Sequence, residues 1–163
     1  MLCSLVISPA FSKVEKPNYD FSLDTLNDFF PEKPTAELDK KYGKAEVMGE
    51  KNGIQTLKYQ VSYLRYKFPV VLQARDGAVL DFFARMPSYF LHDVFFQSLV
   101  NRHGKQDTYR KVGEEAVYAW EKKPLRHVYS AACTITCFPI FYTVFPAEPS
   151  ADPLIKKMKD AYR

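Results

Sequence analysis

The sequence predicts an α+β fold: a tandem duplication of one unit, two short helices followed by an antiparallel β-meander, with a helix added at the C-terminus. Three observations carry this. The hydrophobic pattern changes from helical to alternating after Gly43 and again after Gly104. Turn dipeptides such as Asn52-Gly53 and Asp76-Gly77 punctuate the alternating runs, because both readily take the positive φ of tight hairpins. Finally, Leu38-Asp39-Lys40-Lys41-Tyr42-Gly43-Lys44 returns in character 61 residues later as Leu99-Val100-Asn101-Arg102-His103-Gly104-Lys105.

The repeat continues downstream. Glu46 aligns with Asp107, Tyr59 with Trp120, Gln60 with Glu121, Arg65 with Arg126 and Phe68 with Tyr129. The offset then falls to 59, matching Phe82-Phe83 to Phe141-Tyr142 and Pro87 to Pro146, so the second copy lacks two residues between Phe68 and Phe82. Divided this way, residues 1–12 precede the repeat, 13–87 form the first unit, 88–146 the second, and 147–163 a linker and C-terminal helix.

In the first unit Ser22 caps a short helix, SLDTLNDFF, with Leu23, Leu26, Phe29 and Phe30 along one side. Pro31 and Pro34 end it. A second helix, TAELDKKYG, starts at a Thr35 cap and stops at Gly43, a residue suited to the left-handed position after a helix. The strands that follow include IQTLKYQVSYLRYKF, FPVVLQA and AVLDFFARM. The second unit opens at Ser88-Tyr89-Phe90-Leu91, continues as the helix DVFFQSLVNRHG, with Asp93 at its start as a cap, and supplies the strands AVYAWEKK, HVYSAACT and CFPIFYTVF after a turn at Gly113-Glu114. A unit of this size is marginal alone, so two copies share a core or a sheet.

The two ends read differently. MLCSLVISPAFS carries no charge, and Ala10-Phe11-Ser12 offers small residues at the −3 and −1 positions of a signal-peptidase site. Residues 1–12 are therefore expected to be the distal part of a signal peptide, which places the protein in the periplasm or outside the cell; a lipoprotein signal at Cys3 and a buried first strand are the alternatives. After the linker AEPSADP, Asp152 and Pro153 open a basic amphipathic helix. Leu154, Ile155, Met158 and Tyr162 form its apolar stripe, opposite Lys156, Lys157 and Lys159. Such a helix either packs back on its own domain or makes weak contact with a membrane surface.

Composition excludes more than it assigns. The formal charge of +4 is spread along 163 residues, without the dense basic stripe of a nucleic-acid binder. None of the phosphate-loop, nucleophile-elbow or zinc-protease motifs is present, and no cofactor is implied. His92, His103 and His127 are dispersed; Cys133, Cys137 and the preceding His127 fall short of a zinc set. Read as one strand, CTITC holds Cys133 and Cys137 about 13 Å apart. A disulfide needs a Cα separation of about 4.4–6.8 Å. The repeat resolves this. Cys133 aligns with Leu72 and Cys137 with Ala78, on either side of the Asp76-Gly77 hairpin, so residues 134–136 become a shortened loop and the cysteines face each other as a disulfide.

Two short helices followed by a meander, duplicated, resemble the β-lactamase inhibitor protein family and the related single-unit SmpA/OmlA-type lipoproteins. The resemblance rests on the helix-ending turns Tyr42-Gly43-Lys44 and His103-Gly104-Lys105 and on the strand openings Leu57-Lys58-Tyr59 and Tyr118-Ala119-Trp120. It implies a non-enzymatic protein that binds another protein through a concave, aromatic-rich sheet. The inhibitors carry a disulfide in each unit, whereas the first unit here has no cysteine.

With 13 Phe, 11 Tyr and one Trp, the chain has aromatics to spare for an interface. The expected binding patch draws on Tyr59, Tyr63, Tyr66, Trp120, Tyr129 and Tyr142. Two alternatives stay open: a carrier of small apolar ligands or lipids, with these aromatics lining a cleft, and a small hydrolase joining His92 or His127 to a carboxylate.

Overall fold

The computed structural model describes residues 21–88, 91–133 and 136–161, with side chains as far as Met158. The expected signal remnant, residues 1–12, lies outside them, as do Tyr89, Phe90 and Tyr162. A 3-10 helix over Leu23–Phe29 and helix α1 over Thr35–Tyr42 precede strands β1 (Glu46–Lys51), β2 (Ile54–Tyr63), β3 (Tyr66–Arg75) and β4 (Ala78–Arg85). Helix α2 (His92–His103) precedes β5 (Thr108–Val112), β6 (Glu115–Lys122), β7 (Leu125–Cys133) and β8 (Cys137–Pro146), and α3 (Ile155–Ala161) follows.

The strands form one eight-stranded sheet in the order β1-β2-β3-β4-β8-β7-β6-β5, so the molecule is α+β with a single antiparallel sheet. Each group of four runs from an edge to the centre. There β4 meets β8, from Phe82↔Val144 to Arg85↔Phe141.

Local chemistry sets the helix ends. Ser22 Oγ accepts the Asp24 N–H at 3.1 Å and caps the 3-10 helix. Gly43 (φ 84°) and Gly104 (φ 79°) close α1 and α2, donating to Asp39 O at 3.0 Å and Val100 O at 2.8 Å. Two expected caps differ. Thr35 lies inside α1, and its hydroxyl donates to Gly77 O at 3.2 Å. Asp93 lies in the first turn of α2, where its negative charge suits the helix dipole, and makes no cap bond. The helices are tied together by Asp28, which accepts from Lys41 Nζ (2.6 Å) and Tyr42 Oη (2.7 Å), and by the Arg102–Asp24 ion pair at 2.7 Å.

The sheet buries one face beneath these helices. Leu57, Tyr59, Val61, Phe68, Val70, Leu72, Phe82 and Ala84 from one half share a core with Trp120, Tyr129, Ala131, Ile140, Tyr142 and Val144 from the other. Alternation along each strand sends Val71, Phe83 and Phe141 to the opposite, outer face, where Leu154 covers them and Ile155 and Met158 pack against the group. The apolar side of α3 is thus spent on its own sheet. Among the described residues no helix is long and apolar enough to cross a membrane.

Three expectations about the strands are corrected. The run 54–68 is not one strand: it turns at Leu64-Arg65, with Leu64 at φ 54°, so Tyr63 pairs with Tyr66 and both rings meet Phe21 on the same side. Matching Phe82 to Phe141 joins opposite faces, since Phe82 packs with Phe30 under the helices and Phe141 stacks on Phe83 outside. The loop between Cys133 and Cys137 is not shortened either. It spans three residues where Arg75↔Ala78 encloses two; of the second strands in each half, β6 has 8 residues and β2 has 10.

Candidate functional site

The outer face of the sheet carries an open groove of about 590 Å³, built where the C-terminal chain returns across β3. Its floor is Thr56, Gln73 and Arg75. One wall is the β1–β2 hairpin, from Gly49 to Ile54, and the other is Ser150, Ala151, Asp152 and Lys157. Glu50, Lys51, Arg75, Asp152 and Lys157 give it a charged lining of both signs, unlike the apolar cleft expected of a lipid carrier.

The second wall is held by a buried polar pair. Gln73 and Asp81 are neighbours across the β3–β4 ladder. Gln73 Nε2 donates to Asp152 O at 2.9 Å, and Asp81 Oδ2 accepts the Leu154 N–H at 2.6 Å. Burial pushes the Asp81 carboxyl up to about 6, against the opposing pull of the Leu154 and Gln73 donors and the Lys157 charge. Asp81 Oδ1 is buried and finds no hydrogen-bond donor among the described residues.

The six aromatics expected to form an exposed patch all pack on the covered face, which corrects that expectation. Tyr59, Trp120, Tyr129 and Tyr142 are buried, and Tyr63 and Tyr66 are half-buried against the same core. The four buried ones spend their polar atoms internally. Tyr59 Oη donates to Asp39 Oδ1 at 2.8 Å and Trp120 Nε1 to Gly104 O at 2.8 Å, each reaching the helix of its own half. Tyr142 Oη lies 2.8 Å from His127 Nδ1. The aromatic excess is core material, because large rings fill the space between a sheet and short helices.

Apart from Leu64 at the β2–β3 turn, the exposed large apolar side chains among the described residues lie on the outermost strands: Val47 and Met48 on β1, Tyr109 and Val112 on β5. Every residue of both strands is exposed. Period-two reasoning did not find these strands, because a strand exposed on both faces has no burial alternation to read.

The histidines separate into two places. His127 is buried, its ring 4.3 Å from His103 and edge-on to Phe30, and among the described residues it hydrogen-bonds no carboxylate. Burial, then the nearby His103 and Lys122, hold it down at about 4, so it is neutral at neutral pH. His92, at the start of α2, has Nδ1 3.0 Å from Tyr129 Oη and is also lowered by burial. Cys133 and Cys137 are bonded, with sulfurs 2.10 Å and Cα atoms 3.9 Å apart. Sequence spacing set His127 beside these cysteines; the fold brings His92 there instead, one ring nitrogen and both sulfurs within 4.8 Å of one another.

No protein family matches the sequence, and no curated protein does. Among solved structures, a DUF4309 family protein from Bacillus subtilis is similar with a TM-score of 0.47 and 11% identity, over 70% of this chain and 78% of that one.

Proposed function

We propose that the chain is an exported, non-enzymatic protein-binding module, an inhibitor or envelope assembly factor in kind, built by duplication of a helix–meander unit. The observation that carries the binding role is the β1 edge beside the charged groove. β1 ends the described sheet, is exposed throughout, and sets Val47 and Met48 in solvent. An edge strand offers unpaired backbone groups, and an extended partner segment adds to it as a further strand. The adjoining groove then supplies charges of both signs to select the side chains of that segment.

The duplication is supported by the mirrored strand order about β4 and β8. Face-preserving equivalence pairs Val70↔Ala84 with Tyr129↔Tyr142, which makes Ala84 the counterpart of Tyr142. Those two residues are themselves partners at the central β4–β8 contact, where a two-fold axis between the units would pass. Leu38 and Leu99, 61 residues apart, are both buried from equivalent helices. Export is supported by the uncharged N-terminal dozen and the Cys133–Cys137 bond, which suits an oxidising compartment.

The test is a photo-crosslinking residue at Val47, with the full chain exposed to envelope extract. A discrete protein adduct, lost when Met48→Pro blocks strand addition while the far-ultraviolet spectrum is unchanged, is the expected result. Equal labelling at Val47 and at an exposed control position such as Lys123, with only monomer in solution, overturns the proposal.

A further inference from the structure

We propose that reduction of the Cys133–Cys137 bond opens a zinc-type metal site formed by both sulfurs and the imidazole of His92. The site does not depend on the proposed partner-binding role. It rests on the meeting of a hairpin and a helix start: the cysteines pair across the β7–β8 turn, and His92 is the first residue of α2. All three residues are half-buried, so the cluster is reached by small solutes yet shielded on its inner side.

The histidine is oriented as a ligand needs to be. Tyr129 Oη donates its one proton to the His92 carbonyl at 3.3 Å. Its oxygen also lies 3.0 Å from His92 Nδ1. In the tautomer protonated on Nδ1 the ring donates to the hydroxyl, and the lone pair that a metal needs is on Nε2. Metal-bound histidines depend on such an orienting hydrogen bond at the other nitrogen. Phe96 lies nearly parallel to the ring, at 11°, and limits its rotation.

In the oxidised chain each sulfur is committed to the other and offers no thiolate. A dithiol reductant changes this: its two thiols become a disulfide, and two electrons and two protons pass to the Cys133 and Cys137 sulfurs. A divalent thiophilic ion then displaces both protons to solvent, takes the two thiolates, and accepts the His92 lone pair as third donor. Zinc bonds of about 2.3 Å to sulfur and 2.0–2.1 Å to nitrogen set neighbouring donors about 3.3–3.8 Å apart in a tetrahedron. Donors already within 4.8 Å reach that arrangement with a shift of about 1 Å and side-chain rotation. Two cysteines and one histidine leave the fourth position to water or a further ligand.

The experiment uses the full chain in a Cys3→Ser background, which removes the remaining thiol, and cobalt(II) as a spectroscopic probe. Cobalt is added without oxygen to the oxidised chain and to the chain reduced by a phosphine. The expected result is a thiolate-to-cobalt charge-transfer band and tetrahedral visible bands that saturate at one equivalent, in the reduced chain alone, and that zinc erases. His92→Ala should weaken binding at least tenfold, and Tyr129→Phe should weaken it by about 10–100-fold through loss of orientation. The oxidised and reduced chains share one sequence, so a variant that fails to fold does not decide the outcome. Bands of equal strength in both redox states, their absence on reduction, unchanged binding in a folded His92→Ala chain, or a reduced chain that stays unfolded with cobalt present each overturns the proposal.

Discussion

In the β1–β4 half, the β3–β4 hairpin is held by the chain beside it, whereas in the β5–β8 half the β7–β8 hairpin is closed by a covalent bond. Glu32 N–H reaches Val79 O at 2.8 Å, Val79 N–H reaches Lys33 O at 2.9 Å, and Thr35 N–H reaches Gly77 O at 2.8 Å. Across the centre, Cys133 N–H meets Glu114 O at 2.8 Å, Met86 N–H meets Ile140 O at 2.9 Å, and the disulfide joins the two strand ends. The anchors under the helices differ in the same way. Tyr59 reaches a carboxylate on α1, and Trp120 reaches the carbonyl of Gly104, the residue that closes α2. Corresponding places in the two halves of the sheet thus perform the same task with different chemistry.

Breaking the larger anchor tests whether the halves stand together. Trp120 is completely buried, and Trp120→Ala should cost about 3–5 kcal/mol through lost burial and the cavity left behind. Because β4 and β8 join the halves in one ladder with a shared core, denaturant unfolding followed by circular dichroism should stay a single transition with a lower midpoint. Two separate transitions would show that the halves are independent.

The halves also carry titrating groups of opposite sign. Asp81, in the first, is raised to about 6 from 3.8 by burial; its contribution is full below about pH 4 and is lost as pH rises through 6. His127, in the second, is lowered to about 4 from 6.5; its contribution is full above about pH 6.5 and is lost as pH falls through 4. Each shift is worth roughly 3 kcal/mol at about 1.4 kcal/mol per pH unit, so between pH 4 and 6 the two nearly cancel. The lowered His92 and His103 add to the histidine side, while Asp24 and Asp28, held low by their hydrogen bonds, act below that window. Asp81→Asn removes one arm. Stability at pH 7.5 should rise, and between pH 4 and 6 it should climb with pH by about 1.4 kcal/mol per unit from His127, more steeply where His92 and His103 contribute, read from urea midpoints. A flat profile in the variant would show that His127 stays uncharged in both states.

What was legible in the sequence follows from what each feature requires of its neighbours. Gly43, Gly104 and Asp76-Gly77 demand particular backbone angles, so helix ends and one hairpin could be read directly. Leu64 takes a positive φ without being Gly or Asn, and the β2–β3 turn it makes leaves no signature. The five tyrosines and one tryptophan singled out for binding have the right chemistry on the wrong face, because abundance of rings says nothing about which side the helices cover. The groove and the His92 cluster depend on chain segments that return from far away. Asp81 meets Leu154, and His92 meets Cys133, through the topology of the whole sheet and through no local spacing.

The smallest expected effect bears on the two ways of closing a hairpin. Replacing both cysteines by alanine, in Cys133→Ala/Cys137→Ala, removes a bond that closes a loop of only a few residues, for which the chain-entropy relation gives about 2 kcal/mol. That is comparable with two or three of the backbone bonds that clamp the β3–β4 hairpin, at about 0.5–1.5 kcal/mol each. Hydrogen exchange should therefore show faster exchange at the amides of position 133 and Met86, which donate to Glu114 O and Ile140 O, and unchanged protection at Val79 and Thr35 in the clamped hairpin. Protection lost equally at both hairpins would mean that the disulfide stabilises the whole sheet by constraining the unfolded chain, and that the second half was never locally looser than the first.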